Sequence, residues 1–205
     1  MRGFISKQRV VLYLLFMLLL TTSCNQKLEE RIQAYLESHN NGDVETEMSL
    51  FAENPKFEIV DQWSREGQED LRALIETDAA LHSHLTIKDI KVSKNKVTCG
   101  LEERNDWLKL AGVDPLHYKF REFTFEKGLI KEIRSKQVDE DIKALEKFRD
   151  DFGEWAFENR KEEMAVLRRQ SVITKDNIGK WLDLMREWRE EMKQKAQEES
   201  DKEEK

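Results

Sequence analysis

Apolar residues recur along this chain first at helical spacing, then at strand spacing, then at helical spacing again. Over residues 27–41, Leu28, Ile32, Tyr35 and Leu36 share one helix face, and Asn40-Asn41-Gly42 supplies a stop. Asp43 can cap a second helix with Glu47 in its first turn, and Val44, Met48 and Phe51 form its stripe. Asn54-Pro55 should end that helix, because proline lacks the N–H that an interior turn needs, and residues 56–61 read as a strand. Leu71, Leu74, Ile75 and Leu81 predict a third helix over 67–82. Strands follow over 84–92, 96–103, 117–125 and 129–136, with turns at Ser93-Lys94-Asn95 and Lys127-Gly128. One of these breaks its own alternation: Tyr118 and Phe120 share one parity, Phe123 and Phe125 the other. A β-bulge near Arg121-Glu122 would repair this and curve the sheet.

Beyond residue 136 the pattern is helical and highly charged. Val138, Ile142, Leu145, Phe148 and Phe152 make one stripe; Trp181, Leu184, Met185, Trp188 and Met192 make another, with Thr174 or Asp176 as its cap. These helices are expected to pack on the domain or on each other. In the first case they would bury Trp155, Trp181 and Trp188 and shield the open face of the sheet. From residue 193 the composition is almost entirely Lys, Gln, Glu, Ser and Asp, which predicts a solvated tail.

The N-terminus has a different character. Arg2, Lys7 and Arg9 precede an apolar run from Val10 to Leu20 and then Thr21-Thr22-Ser23-Cys24, the layout of a secretory signal. Eleven helical residues span roughly 16 Å, about half of a ~30 Å hydrocarbon core, so the run is a poor permanent span. Small polar residues directly before a cysteine resemble the lipobox of bacterial lipoproteins, with Thr21 where the lipobox leucine usually stands. That resemblance implies cleavage after residue 23, lipidation of Cys24, and anchorage in the lipid bilayer of the cell envelope. Asn25 follows the cysteine, which favours the outer membrane in a host that has two. The alternative is an ordinary secretory signal with an incidental cysteine. Once Cys24 is lipidated, Cys99 has no other cysteine to pair with, and its alternating surroundings predict a buried, unreactive thiol.

Of 35 basic residues three precede Cys24, and no acid does, so the mature chain carries 32 bases against 42 acids, a formal charge of −10. Bases interleaved with acids leave no patch to displace counterions from a polyanion, so nucleic acid is excluded as a partner. The expected organisation is a signal over 1–23, an α+β domain over 24–136, a helical extension over 137–192 and a tail over 193–205.

Three helices and a curved antiparallel sheet make an α+β cone with helices closing its mouth. The stretches Ile32-Gln33-Ala34-Tyr35, Asn41-Gly42-Asp43, Leu50-Phe51-Ala52-Glu53-Asn54, Phe57-Glu58-Ile59-Val60 and Tyr118 to Phe125 with Gly128 and Ile130 resemble the nuclear-transport-factor-2-like superfamily, in its SnoaL-like and ketosteroid-isomerase-like branch. Asn105-Asp106-Trp107-Leu108-Lys109-Leu110-Ala111-Gly112 resembles an insertion common in SnoaL-like members.

The resemblance implies a cone cavity. Its candidate lining is Tyr35, His84, Glu103, Asn105 and Glu122 among polar residues, and Met48, Phe51, Phe57, Ile59, Trp63, Leu101, Trp107, Tyr118 and Phe120 among apolar or aromatic ones. Tyr35 matches the oxyanion-hole tyrosine of ketosteroid isomerases, but Ile59 stands at the general-base position and Arg121 at the oxyanion aspartate. Asp61 and Glu122 are near enough to suggest a shifted constellation. Without the base, proton abstraction is not expected. His82, His84 and His117 are the nearest approach to a metal-ligand set, and neither a metal site nor a cofactor is expected. The fold alone leaves two functions open: a non-catalytic binder of a small apolar ligand or a protein partner, and an acid/base enzyme using Glu103, Glu122 or His84. The chain is expected to be a monomer or a homodimer.

Overall fold

The computed structural model describes residues 26–170 and 173–203, so the signal segment and Cys24 lie outside the described residues. Helix α1 covers 26–40 and α2 covers Val44–Ser49. They meet at Gly42, whose φ of 65° suits a residue with no Cβ, and at Asp43, whose carboxylate accepts from Thr46 N at 3.1 Å as an N-cap. Strands β1 (Phe51–Ile59) and β2 (Trp63–Glu66) precede α3 (Gln68–Ala80), and β3 (His84–Ser93) and β4 (Lys96–Arg104) follow it. Helix α4 (Asp106–Ala111) then leads to β5 (Leu116–Glu126) and β6 (Leu129–Gln137). The C-terminal helices are α5 (Asp139–Asn159), α6 (Lys161–Arg169) and α7 (Ile178–Glu203).

The six strands form one sheet in the order β2-β1-β6-β5-β4-β3. It is mixed rather than wholly antiparallel, because β1 runs parallel to its neighbour β6. Its inner face packs on α1 and α3, with Ile32, Tyr35, Val97, Phe123, Ile130 and Ile133 most deeply buried. Cys99 is buried there too, and burial pushes its thiol up to about 11. The outer face carries charge pairs between neighbouring strands: Lys96–Glu122 at 2.7 Å, Arg134–Glu58 at 3.3 Å, Lys56–Glu132 at 3.5 Å, and Lys88–Glu102.

Two features differ from the periodicity reading. Phe51 opens β1 instead of closing the stripe of α2, so the strand starts five residues before position 56 and runs through Pro55. It can, because the β1/β6 register breaks between Phe51 and Lys56, where a residue without an N–H costs the ladder nothing. The bulge in β5 falls at Lys119-Phe120, just before Arg121-Glu122. Cys99 pairs with Arg121 but Leu101 with Tyr118, so two residues of β5, Lys119 and Phe120, oppose Gly100 alone on β4. Inward parity thus passes from Tyr118 to Arg121, Phe123 and Phe125.

The C-terminal helices build a second core. Phe148 and Phe152 stack with centroids 5.7 Å apart, and the Trp188 ring meets both edge-on. Trp155 and Trp188 are buried and Trp181 partly so. This cluster docks on α4 and the end of α3 through Ala111 and Leu81, and Arg189 Nε donates to the Leu110 carbonyl at 2.7 Å. The helices therefore do not shield the outer face of the sheet. That face is occupied by ion pairs, whereas α4 offers an apolar surface. Residues 193–203 continue α7 instead of leaving it as a tail, as expected of Lys, Glu, Gln and Ala with Lys195–Glu191 and Gln197–Asp201 contacts four apart. No helix among the described residues is long and apolar enough to cross a membrane.

Candidate functional site

Between α1, α3 and the inner face of the sheet lies a cavity of about 330 Å³. Phe57, Ile59, Trp63, Leu74, Trp107, Leu116 and Leu145 give its apolar wall, and Tyr35, His39, Glu47, Asp78, Glu103, Tyr118 and Arg121 its polar side. Phe57 and Trp63 stack at 5.7 Å, with Trp63 39% exposed. Leu145 belongs to α5, so the C-terminal helices supply part of the wall.

The helices deliver the titratable groups by ordinary periodicity. On α1 the stripe Leu28, Ile32, Tyr35 continues one turn to His39; on α3, Leu71 and Ile75 continue to Asp78. His39 Nδ1 lies 3.2 Å from Glu47 Oε1, and its Nε2 lies 3.1 Å from Ser83 Oγ. Burial alone would lower the histidine pKa, but the hydrogen bond and charge of Glu47, with Asp78 and Glu103, raise it overall. Ser83 Oγ donates to Glu103 Oε1 at 3.4 Å. Glu103 also accepts from Asn105 Nδ2 at 2.9 Å and Tyr118 OH at 2.7 Å.

Across the cavity the Arg121 side chain, only 3% exposed, donates from Nε to Ser135 Oγ at 2.8 Å and from Nη1 to Tyr35 OH at 3.2 Å. The rings of Phe57 and Tyr118 lie 5.4 and 5.3 Å from its guanidinium carbon. Burial opposes its charge, yet the facing tyrosines, Glu103 and Cys99 hold its pKa up, and burial with Glu103 raises that of Tyr118. The half-buried Asp78 accepts from Ser83 N through its backbone carbonyl at 2.9 Å, and its carboxyl makes no hydrogen bond or ion pair among the described residues. Burial first, then the charges of Glu103 and Glu47, push its carboxyl up to about 7 against the opposing pull of His39 and Arg121.

Of the residues expected at the cavity, Tyr35, Phe51, Phe57, Ile59, Trp63, Glu103, Trp107 and Tyr118 line it. The others lie elsewhere. Met48 is buried in the core beneath α2, and Leu101 in the sheet core. His84 is exposed at the start of β3, paired in register with Arg104. Asn105 caps α4 by accepting from Leu108 N at 2.7 Å, and reaches the site only through Glu103. The bulge turns Phe120 and Glu122 away and Arg121 inward; Glu122 bonds Lys96. Asp61 sits in a turn with Lys136 at 2.6 Å, so the shifted isomerase constellation is not assembled. His82 and His117 take Asp106 and Asp141 as separate partners. His39, Glu47, Asp78 and Arg121 were missed. The first three continue apolar helical stripes, a signal present in the sequence, whereas Arg121 depends on the placement of a bulge.

No family model matches the sequence, and no curated protein matches it. Solved structures do resemble it in shape. An epoxide hydrolase/cyclase-like enzyme, SalBIII, of pyran ring formation in the polyether salinomycin superimposes with a TM-score of 0.51 at 21% identity, covering 57% of this chain and 94% of that one. A nuclear-transport-factor-2-like protein of unknown function from Cytophaga hutchinsonii gives 0.47 at 12% identity, over 56% and 93% of the two chains. One from Burkholderia xenovorans gives 0.45 at 13%, over 55% and 84%. With its helices packed in the hollow of a curved sheet, this chain contains an α+β domain that shares the fold of the SalBIII structure, the architecture expected from the sequence's resemblance to the nuclear-transport-factor-2-like superfamily.

Proposed function

We propose that this chain is a lipid-anchored protein of the bacterial cell envelope whose cone binds a small, largely apolar molecule. The observation that carries the binding reading is a cavity of about 330 Å³ with an aromatic and aliphatic wall and a few convergent polar groups, within the ~300–1,000 Å³ size range and general makeup of small-molecule sites. Side chains do not fill the cone. The anchor rests on the N-terminal pattern ending in Cys24. Tryptophans at the wall give a direct readout: apolar probes titrated into the mature chain should change Trp63 and Trp107 fluorescence saturably, and Leu74→Trp, which fills the cavity, should abolish the response. An unchanged response in that variant overturns the site. For the anchor, Cys24→Ala should move the protein to the soluble fraction and block fatty-acid labelling; retained labelling overturns it.

A second reading has its own observation. Asp78 faces the cavity with a proton affinity near neutrality, opposite Arg121 and Tyr118, which is the arrangement an acid/base enzyme needs. A bell-shaped or sigmoidal pH–rate profile centred near pH 7 and lost in Asp78→Asn would favour it over simple binding.

A further inference from the structure

Arg121 is a buried cation with an unfinished set of partners. A guanidinium has five N–H donors. Here one Nε and one Nη1 bond are made, both to neutral oxygens of Ser135 and Tyr35. Among the described residues Nη2 has no hydrogen-bond partner and no carboxylate lies within 4 Å of the group, and the side chain lines the cavity. An unpaired charge in such a place is costly unless a counter-ion completes it. Rings cover the guanidinium, so what remains to bond is the N–H edge, the edge that carboxylates match with two oxygens. Away from the cavity's polar side the wall is aromatic and aliphatic, a surface that a bare inorganic anion would leave without contacts and an apolar body would cover.

From this geometry we propose that the cavity takes a compact monocarboxylic acid, its carboxylate on the Arg121 edge and its apolar body against Phe57, Trp63 and Trp107. The proposal rests on the cavity being the binding site.

A linked consequence concerns Asp78. The charged and titratable groups facing it are Glu103 from β4, His39 and Tyr35 from α1, Glu47 from α2, and Arg121 and Tyr118 from β5. Glu103 is held by three donors and Glu47 by His39, which leaves Asp78 as the carboxyl free to take a proton when a second negative charge enters. Binding above pH 7 therefore takes up protons, and affinity falls as pH rises.

The test is calorimetric titration of the mature chain with 3-phenylpropanoate and with 3-phenylpropanamide, a neutral compound of the same shape, in buffers of different ionisation enthalpy at pH 7.5. The acid should bind at least about tenfold more tightly, a difference of ~1.4 kcal/mol, with net proton uptake. Asp78→Asn should keep the preference and lose the uptake. Arg121→Met, shown folded by near-ultraviolet circular dichroism, should lose the preference. Equal binding of acid and amide, both blocked by Leu74→Trp, overturns the carboxylate assignment and leaves the cavity reading standing. Binding of neither overturns both.

Discussion

At the scale of single residues, the site is built by side chains whose burial conflicts with their charge. Asp78 holds its proton more tightly in the folded chain than an ordinary carboxyl does, so its contribution to stability is complete below the ordinary range and is lost as pH rises through about 7. His39, also raised, contributes in the same sense: its share is present below about 6.5 and lost as pH climbs through its folded value. The mature chain should thus be more stable at pH 5.5 than at pH 8 by chemical denaturation. Asp78→Asn should recover on the order of 1–4 kcal/mol at pH 8, and a flat wild-type profile would place Asp78 outside this environment. Why these residues were hard to read is a matter of chemistry rather than position. His39 and Asp78 sit where the apolar stripes of α1 and α3 predict a buried residue, but a polar side chain at such a place usually marks the stripe's edge.

Secondary-structure elements were legible wherever a run of residues carried one period. Helices α1 and α3 and strands β3 to β6 lie within a residue or two of the positions that periodicity predicts. The short β2 and α4 were not legible, since four and six residues hold too little pattern to separate strand or helix from loop. Where an irregularity interrupts a strand, placement matters more than existence. Moving the bulge from Arg121-Glu122 to Lys119-Phe120 exchanges the Phe120 ring for the Arg121 guanidinium on the inner face, and so places a positive charge where the periodicity predicts an apolar wall. The same reasoning applies at β1. Phe51 packs edge-on to Tyr35 at 6.2 Å with the rings 77° apart, between α1 and the sheet. Truncation to alanine there removes a buried ring from the wall of the core, so Phe51→Ala should cost about 3–5 kcal/mol in denaturation. A loss under ~1 kcal/mol would contradict its place in the strand.

For the whole molecule, the question is which surfaces remain free once the C-terminal helices have docked. The outer face of the sheet presents Lys–Glu and Arg–Glu pairs in place of an apolar patch, which favours a monomer in solution; light scattering on the Cys24→Ala chain should give one chain's mass, and a dimer would overturn this. The docked helices also reach the cavity. Trp188 packs on Phe148, Phe148 meets Trp107 at 6.2 Å, and Trp107 and Leu145 stand in the cavity wall. Trp155 lies at the far side of the same cluster, against Phe152 and Arg160, and its Nε1 donates to Glu191 at 2.8 Å. Both rings are buried, so each alanine variant should cost about 3–5 kcal/mol. If the second core holds the cavity wall in place, Trp188→Ala should weaken binding of an apolar probe more than Trp155→Ala does, because the Trp188 ring touches Phe148 directly whereas Trp155 reaches it only through Phe152. Titrations of both variants under conditions where each stays folded decide the matter: equal affinities would mean that the C-terminal helices stabilise the domain without shaping its site.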